Sequence, residues 1–443
     1  MLRSRGTRGV ALGFAALGCA LAMAARARPD AVQAGPPTLE QVLERIDRQA
    51  LVELTQALIR IPSQYSEGQL AEHRPIVTFL ENELRSLGME VSVLEPTPHY
   101  PMVIGRLRGT GGQPVLGMMG HYNTVPVGDR SRWTVDPFGG ETDAGRIYGR
   151  GASDQKGGIA AVLMATRALV GAGVRFQGDL IHAYIPGEGA QDHVLPHVAD
   201  TRPELIQADW YLDTDGGPDI IQVAAGHIWL KLTARGKSAH PGGDTPWVNA
   251  ASKLAAVLVA MGDVDGWMIY ERHPLFTGLG GRPRVEVGTI QAGRAVNQIP
   301  DQAVAQVDIR LNPKQTVNGV MRELNALIDR LKAADPDIDI AVEQLPGTQV
   351  VPYHYWASIT PEDPLVAAIR DVSAARLGRT PGFRGSRGGG RPDLWRIGTK
   401  WISWSANVGG NSHAPDEWVD VEGVVQSARV YAEIMLRMLR QGS

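Results

Sequence analysis

The sequence predicts an α/β protein in which a mostly parallel central sheet is flanked by helices and a ferredoxin-like α+β domain is inserted. Three observations support this prediction. Apolar β-rich runs alternate with helical patterns between residues 90 and 212, which favours a parallel sheet covered on both faces. Segments from 228 to 345 follow the order β-α-β-β-α-β of a split βαβ unit. After residue 360 the chain returns to patterns that complete the first sheet.

The first domain is predicted to begin with helices and to continue into strands. Apolar residues recur at helical spacing within residues 38–88, and the pattern breaks at Ile61-Pro62-Ser63 and ends at Gly88. The later elements are a helix at Gly157–Val170 and strands at Glu90–Leu94, Met102–Leu107, Val115–Met119, Gly178–Ile185 and Trp210–Leu212. Sites in such sheets lie at the carboxyl ends of the strands.

The second domain and the return to the first follow from the same patterns. The insertion is predicted from strands Ile228–Ala234, Arg284–Ile290, Ala303–Leu311 and Ile338–Leu345, and from helices Trp247–Met261 and Val317–Lys332. The return contains a helix at Pro364–Leu377, a Gly/Arg-rich loop at Gly382–Arg391, a strand at Trp401–Ser405 and a terminal helix to Leu439. We therefore predict one catalytic domain from residues 38–226 and 347–443, with residues 227–346 inserted.

The N-terminal residues resemble a secretory signal peptide. Arg3, Arg5 and Arg8 precede the apolar run Val10–Ala25, which ends in small residues and is short for a membrane span. We expect residues 1–34 to be removed and the mature protein to be periplasmic or secreted. Removal also takes away Cys19, the single cysteine, which excludes disulfides and thiolate catalysis. The formal net charge of −3 gives no reason to expect a nucleic acid partner.

The stretch from Gly120 to Gly158 brings an imidazole and a carboxylate to the ends of predicted elements. His121 follows the apolar run Val115–Met119, and Asp154 lies in a glycine-flanked turn before the apolar run Ile159–Met164. A buried strand delivers a side chain rigidly at its end, and a Gly-rich turn lets backbone and ligand approach closely. A His and an Asp brought together in this way can hold a divalent metal such as zinc.

This stretch resembles the signature of the co-catalytic metallopeptidase superfamily that includes glutamate carboxypeptidase, aminoacylase, acetylornithine deacetylase and succinyl-diaminopimelate desuccinylase. The pattern there is roughly G-H-x-D-x-V-P, W-x-x-x-P-F and G-R-G-x-x-D-x-K-G. The matching positions here are Gly120, His121, Val125, Pro126, Trp133, Pro137, Phe138, Gly149, Arg150, Gly151, Asp154, Lys156 and Gly157. The resemblance implies a zinc-exopeptidase-like fold whose inserted domain often forms a dimer interface.

The resemblance also implies a set of metal ligands. Carried over, His121, Asp154 and Asp215 hold a first metal, while Asp154 and His413 face a second. Glu188 matches the general base, because gaps of 33 and 34 residues separate His121 from Asp154 and Asp154 from Glu188. Two alternatives stay open: Asp213 competes with Asp215 for the first metal, and another alignment makes Glu188 a metal ligand and leaves no base.

Two departures from the family pattern alter the predicted metal site. The second member of the family's Glu-Glu pair is Gly189 here, so the second site keeps only Asp154 and His413 of the implied ligands. Asp192 or His193 is the alternative source of a further ligand. Because catalytic zinc usually takes three protein ligands, we expect one tight metal and a weak or absent second. Zinc is the first choice, with manganese or cobalt as alternatives. Asn123 replaces an Asp whose carboxylate would raise the basicity of the ligand His.

The predicted function is metal-dependent cleavage of an amide C–N bond in a small carboxylate-bearing substrate, a peptide or an N-acyl amino acid. The resemblance gives His240 as an oxyanion-stabilising imidazole that reaches into the partner subunit of a homodimer, and Asn297 and Arg310 as substrate-binding residues. A guanidinium suits a carboxylate because its N–H groups form a bidentate fork. Hydrolysis of a non-peptide C–N bond and a non-catalytic binding protein are the rival predictions.

Overall fold

The computed structural model describes residues 36–65, 73–187, 194–276, 281–350, 359–386, 388, 390–406 and 409–440. Within these residues the helices are α1 Leu39–Leu43, α2 Arg48–Arg60, α3 Arg74–Ser86, α4 Gly157–Gly171, α5 Val194–Thr201, α6 Ala250–Gly262, α7 Val317–Ala334, α8 Pro364–Leu377, α9 Pro392–Arg396 and α10 Val421–Leu439. Several helices begin where a side chain accepts a backbone N–H bond, namely at Asp47, Asn249, Thr316, Asp363 and Asp420. Among the helices of these residues, none has the length and apolar character to cross a membrane.

The largest sheet has eight strands in the order β1-β2-β6-β3-β7-β15-β8-β14. The strands are β1 Glu90–Leu94, β2 Met102–Leu107, β3 Gly112–His121, β6 Gly178–Ile185, β7 Trp210–Asp213, β8 Ile220–Ala224, β14 Phe383–Ser386 and β15 Lys400–Ser403. The central strands β6, β3, β7 and β15 are parallel, and β6 is buried along its whole length. A strand covered on both faces is apolar at nearly every position, which explains why the sequence predicts this region well.

The helices that cover this sheet carry the core. Helix α4 is apolar on almost all sides and packs against α10, which also contacts α8, β3 and β6. Helix α3 packs against β1 and β2 through one stripe, with Ile76, Val77, Leu80 and Leu84 buried and polar residues on the other side. The predicted mostly parallel sheet flanked by helices is thus confirmed.

A second sheet is formed by the later part of the chain. Its strands are β9 Gly226–Arg235, β10 Arg284–Ala292, β11 Gln302–Arg310, β12 Asp339–Gln344 and β13 Gln349–Val350. The order is β10-β11-β9-β12, with β13 also on β9, and all pairs are antiparallel. With α6 and α7 between the strands, the chain order is β-α-β-β-α-β. The domain boundaries that we expect from the sequence stay a prediction.

A small third sheet surrounds the predicted metal-binding turn. It has the order β16-β17-β5-β4, formed by β4 Thr142–Asp143, β5 Arg146–Tyr148, β16 Gly409–Gly410 and β17 Trp418–Asp420. Strands β5 and β17 are distant in sequence but pair directly, Trp418 opposite Tyr148. This pairing brings the loop before β17 beside the turn after β5. The sequence patterns do not predict these strands, because each has only two or three residues.

The structure also corrects the predicted loop at Gly382–Arg391. Residues Phe383–Ser386 form β14, which pairs in parallel with β8, a strand that the sequence patterns do not predict. Both strands are short and flanked by Gly, Pro or Asp, which weakens the usual strand pattern. Strand β8 meets β15 in the antiparallel sense, and only Ala225 separates β8 from β9 of the second sheet.

Candidate metal centre

Three predicted ligands meet at the carboxyl end of the central strands. One ligand atom from each of His121, Asp154 and Asp215 lies within 4.8 Å of the others. Nε2 of His121 is 3.0 Å from Oδ1 of Asp154 and 3.7 Å from Oδ2 of Asp215. One imidazole and two carboxylates therefore converge from three separate segments of the chain.

The imidazole of His121 is held in one orientation by the backbone. His121 is the last residue of β3 and is buried, and its Nδ1 lies 2.8 Å from the carbonyl oxygen of Asn123. Because a carbonyl can only accept, Nδ1 carries the proton in this hydrogen bond. The other ring nitrogen, Nε2, faces the two carboxylates. The backbone of Asn123 thus supplies the orienting hydrogen bond for His121.

Asp154 is the carboxylate that links the two predicted metal positions. Its Oδ1 faces His121, while its Oδ2 accepts a hydrogen bond from Oγ of Ser412 at 2.7 Å and lies 3.0 Å from Nε2 of His413. Burial raises the pKa of Asp154, but the contacts with His121 and His413 outweigh it and hold that pKa well below its usual range. Asp154 is therefore a carboxylate at neutral pH.

The turn that carries Asp154 is organised by the buried carboxylate of Glu417. Its Oε1 accepts from the backbone N–H groups of Ser153 and Asp154, both at 3.0 Å, and from Oγ of Ser153 at 3.0 Å. Its Oε2 accepts from the backbone N–H of Gly151 at 3.0 Å and from Nη1 of Arg150 at 2.7 Å. Successive N–H groups that point at one carboxylate form an anion-binding nest. Gly151 has φ of +84°, which a residue with a side chain rarely adopts.

A buried lysine fixes the other side of the same turn. Nζ of Lys156 donates to the carbonyl oxygens of Leu58 at 2.9 Å and Ile61 at 2.8 Å, at the end of α2. Burial lowers the pKa of Lys156 to about 7, and the charge of Glu417 opposes that shift. A cation beside the last carbonyls of a helix also interacts favourably with the helix dipole. Lys156 thereby ties the metal-binding turn to α2.

The structure separates the roles of Asp213 and Asp215. Asp213 is buried; its Oδ2 accepts from Nε1 of Trp401 at 2.9 Å, and its Oδ1 accepts from the backbone N–H of Asp215 at 3.0 Å. Asp215 instead faces His121, and 45% of its side chain is exposed. Burial raises the pKa of Asp215 to about 7. The contact with His121 lowers this pKa, whereas the charges of Asp154 and Asp213 raise it further. Solvent on the exposed side of Asp215 screens these effects. The geometry thus places Asp215 in the cluster and Asp213 beneath it.

The donor set fits a divalent cation such as zinc. Ligand atoms around tetrahedral zinc lie roughly 3.3–3.5 Å apart for bond lengths of about 2.0–2.1 Å. The distances of 3.0 and 3.7 Å from Nε2 of His121 to Asp154 and Asp215 are close to this range. Two carboxylate oxygens that converge on one ring nitrogen also favour a positive charge between them. His121, Asp154 and Asp215 are therefore the residues that would hold the ion.

The other predicted site residues lie elsewhere or outside the described residues. Glu188, Gly189, Asp192 and His193 fall among the residues that the structure does not describe. His240 is exposed, and its Nδ1 accepts from the backbone N–H of Gly242 at 3.1 Å. Asn297 is exposed on a neighbouring turn, which bonds to the His240 loop through Ile299 N–H and Ala239 O at 3.0 Å.

Arg310 lies at the opposite end of β11 from these two loops. The strand begins at Gln302, which pairs with Arg235, and ends at Arg310, which pairs with His227. Nε and Nη2 of Arg310 contact Oδ2 of Asp308 at 2.8 and 2.7 Å. Within the described part of this single chain, the second sheet therefore separates His240 and Asn297 from Arg310. The roles of these three residues stay predictions.

Glu417, Ser412 and Arg391 are near the site but were not predicted from the sequence. Arg391 is mostly buried, with Nε 3.7 Å from Oδ2 of Asp213. The motif S-H-A-P-D-E contains Ser412, His413 and Glu417, so the presence of a second acidic residue in it is the signal for Glu417. No spacing in the sequence indicates that Arg391 reaches Asp213.

Comparison with known proteins gives this site a family. The model of peptidase family M20/M25/M40 matches residues 117–437. The chain belongs to this family. It is 28% identical over 399 residues to succinyl-diaminopimelate desuccinylase from Methylocella silvestris, covering 87% of this chain and 97% of that protein. It is 26% identical over 306 residues to N-formyl-4-amino-5-aminomethyl-2-methylpyrimidine deformylase from Bacillus subtilis, covering 65% of this chain and 69% of that protein.

Solved structures of other proteins share the fold. The dipeptidase Dug1p from Saccharomyces cerevisiae superposes with a TM-score of 0.74 at 15% identity, covering 90% of this chain and 98% of that one. The resemblance to the metallopeptidase superfamily is confirmed. This M20 protein is accordingly a metal-binding hydrolase of amide bonds.

Glu417→Gln should loosen the Asp154 turn. The substitution places the amide N–H₂ of the new side chain against backbone N–H groups of the turn, and two donors cannot form a hydrogen bond. It also removes the negative charge that faces the buried Arg150. We expect the free energy of unfolding of the metal-free protein to fall by about 3–5 kcal/mol, as when one partner of a buried ion pair is lost. Urea unfolding measures this loss.

Asp416→Asn is the matched control for this substitution. Asp416 precedes Glu417 and accepts from the backbone N–H and Oγ of Thr134 at a more open position. It has φ of +53°, which Asn tolerates. In Asp416→Asn, the free energy of unfolding should fall by less than about 1 kcal/mol. Equal decreases in the free energy of unfolding of the two variants would show that the hydrogen bonds to Glu417 do not stabilise the turn more than an ordinary surface contact does.

Proposed function

We propose that this protein hydrolyses the amide C–N bond of a small carboxylate-bearing substrate, a peptide or an N-acyl amino acid. The convergence of His121, Asp154 and Asp215 beside His413 is the observation that carries the proposal. The similar desuccinylase and dipeptidase, by their names, release an acyl group or an amino acid from an amide nitrogen. The substrate class proposed here has the same kind of bond.

The chain's own residues would bind and orient the reactants. When present, a divalent ion supplies a Lewis acid that polarises a carbonyl and lowers the pKa of water. Asp154 contributes a fixed negative charge, and His121 contributes a ring whose orientation the Asn123 carbonyl sets. These groups are held before substrate arrives, so little reorganisation is needed during the reaction.

Glu188 is the proposed general base, which takes a proton from water and delivers it to the leaving nitrogen. Support comes from the residue before it. A Cβ built at Gly187 would lie 3.1 Å from Cβ of His121, so the chain enters the Glu188 segment directly beside the metal ligand. A base must be within hydrogen-bond reach of the proton that it removes.

The proposal for the base predicts a separation between metal binding and turnover. Glu188→Gln should keep the metal content of the wild type and lower kcat by at least about 100-fold, in line with the usual contribution of a general base. Release of amino acid from dipeptides and N-acyl amino acids, with zinc, manganese or cobalt added, measures turnover. Unchanged kcat would remove Glu188 from the mechanism. A wild type that binds these compounds but cleaves none would favour a binding protein.

We also propose that one metal is held tightly and that the second position is weak or empty. His121, Asp154 and Asp215 offer three ligands to the first position. Among the described residues, the second position has His413 and Oδ2 of Asp154, and this oxygen also accepts from Ser412. Two protein ligands hold a zinc-like ion poorly. Zinc is the proposed ion, since imidazole and carboxylate ligands suit it.

Metal analysis tests this asymmetry. After dialysis, the wild type should contain about one zinc ion per chain by mass spectrometry. Asp215→Asn should weaken zinc affinity by more than the roughly 10- to 100-fold that loss of an outer partner costs, whereas His413→Ala should retain the tight ion. Two firmly bound ions per chain would contradict the proposal, as would loss of the tight ion in His413→Ala.

We further propose that the chain forms a homodimer through the second sheet. Strand β10 is an edge strand that exposes Val287 and Ile290, and α6, which packs on the same sheet, exposes 78% of Val259. Exposed apolar groups beside an unpaired strand edge are typical of a protein–protein interface. In such a dimer, His240 and Asn297 would be available to the active site of the partner.

Charged substitutions on this surface should separate the subunits. Ile290→Lys and Val259→Lys should convert a wild-type dimer into monomers at micromolar concentration in sedimentation velocity experiments. Val170→Lys, at an exposed apolar position on α4, is the matched control and should leave the dimer intact. A monomeric wild type would refute the proposal.

A further inference from the structure

Arg384 lies at the same edge of the large sheet as the metal cluster. Asp213 pairs with Ser403, Ser403 with Ile221, and Ile221 with Arg384, so these four residues form one row across β7, β15, β8 and β14. Three strand spacings place the backbone of Arg384 about 14 Å from that of Asp213. An extended arginine side chain spans about half of that distance.

The side chain of Arg384 reaches back toward the cluster. A Cβ built at Gly217 would lie 3.6 Å from Nη2, 3.7 Å from Nε and 3.8 Å from Cζ of Arg384, so the guanidinium lies over Gly217. Gly217 is two residues after Asp215 in the chain. Burial lowers the pKa of Arg384, and the charges of Asp219 and Asp215 raise it. The charge of Asp215 therefore acts on Arg384.

Arg384 makes one hydrogen bond to the residues that the structure describes. Its Nε donates weakly to the backbone oxygen of Asp219 at 3.3 Å. The carboxylate of Asp219 is occupied by Nη1 of Arg379 at 3.1 Å and by the backbone N–H of Gly382 at 3.0 Å. Among the residues that the structure describes, no hydrogen bond or ion pair is made by Nη1 or Nη2 of Arg384. A half-buried guanidinium with two unused amino groups is suited to receive an anion.

Other arginines near the site are already engaged. Arg310 contacts Asp308 in its own strand, and Arg391 faces the buried Asp213. Arg384 therefore differs from both, because it is partly buried and its Nη1 and Nη2 have no partner among the described residues. The prediction that Arg310 binds a substrate carboxylate rests on the family resemblance alone.

We propose that Arg384 is a carboxylate receptor of the active site, binding a carboxylate of the substrate through Nη1 and Nη2 while the scissile amide lies at the metal cluster of the same chain. The proposal rests on the proposed function and specifies which group selects the substrate. It makes Arg384 a specificity-determining residue, and neutral analogues of the substrate are then poor ligands because two charge-assisted hydrogen bonds are missing.

Dicarboxylates of increasing length test the receptor without requiring turnover. The probes are succinate, glutarate and adipate, with succinamide as the neutral analogue, titrated calorimetrically into the zinc-loaded protein. The wild type should bind at least one dicarboxylate and bind succinamide more weakly. Arg384→Met should weaken the best dicarboxylate roughly 10- to 100-fold, the usual effect of losing charge-assisted hydrogen bonds. Arg384→Lys should restore only part of the loss, because an ammonium has no bidentate fork.

Arg379→Met is the matched control, since Arg379 also contacts Asp219 but pairs with its carboxylate. It should bind dicarboxylates like the wild type. Equal weakening in both variants would mean a general charge effect and overturn the receptor, as would unchanged binding in Arg384→Met or a wild type that binds none of the probes. Urea unfolding of each variant identifies loss of the fold. Amide turnover is measured separately. Binding that depends on Arg384 in a protein without amide turnover would refute the proposed function but support Arg384 as the carboxylate receptor.

Discussion

The metal centre depends on one buried interaction, the acceptance of backbone N–H groups by the carboxylate of Glu417. Without it, the turn from Gly149 to Asp154 would leave several N–H donors unsatisfied in a buried place, at a cost of about 1–3 kcal/mol each. Burial raises the pKa of Glu417, with the charge of Asp154 adding to the rise and the bonds from Gly151 and Arg150 opposing it. The carboxylate is thus stabilised by the same turn that it shapes. Because Glu417 and His413 share one loop, the turn and the second imidazole are positioned together.

The two oxygens of Asp154 have different surroundings, and this difference supports the proposed asymmetry of the site. Oδ1 faces a buried imidazole whose other nitrogen is fixed by a carbonyl, whereas Oδ2 faces the half-exposed His413 and the hydroxyl of Ser412. A buried, fixed ligand loses little conformational entropy when an ion binds, but an exposed side chain must be ordered first. Preorganisation is thus a second reason, besides ligand number, for the proposal that the first position binds its ion more tightly.

Much of this arrangement could be predicted from the sequence because the central elements are long and buried. The ends of β1, β2, β6 and α8 agree with the predicted ranges, since apolar runs and glycine or proline breaks mark them. The sequence indicates His121 and Asp154 because each follows or precedes such a run. The choice between Asp213 and Asp215 could not be made from spacing: the chain leaves β7 after Asp213, and only the tertiary positions of Trp401 and His121 separate the two carboxylates.

The strands that the sequence did not predict have a mechanical consequence. Strand β14 bonds to β8 on one side, and the N–H of Gly385 donates to the carbonyl of Leu275 in the segment that leads into the second sheet. Strand β8 passes into β9 through Ala225 alone. A rotation of the second sheet would therefore pull on both strands at once, and the guanidinium of Arg384 would travel with them. Any such rotation would change the distance between the proposed carboxylate receptor and the candidate metal ligands, and with it the length of substrate that fits between them.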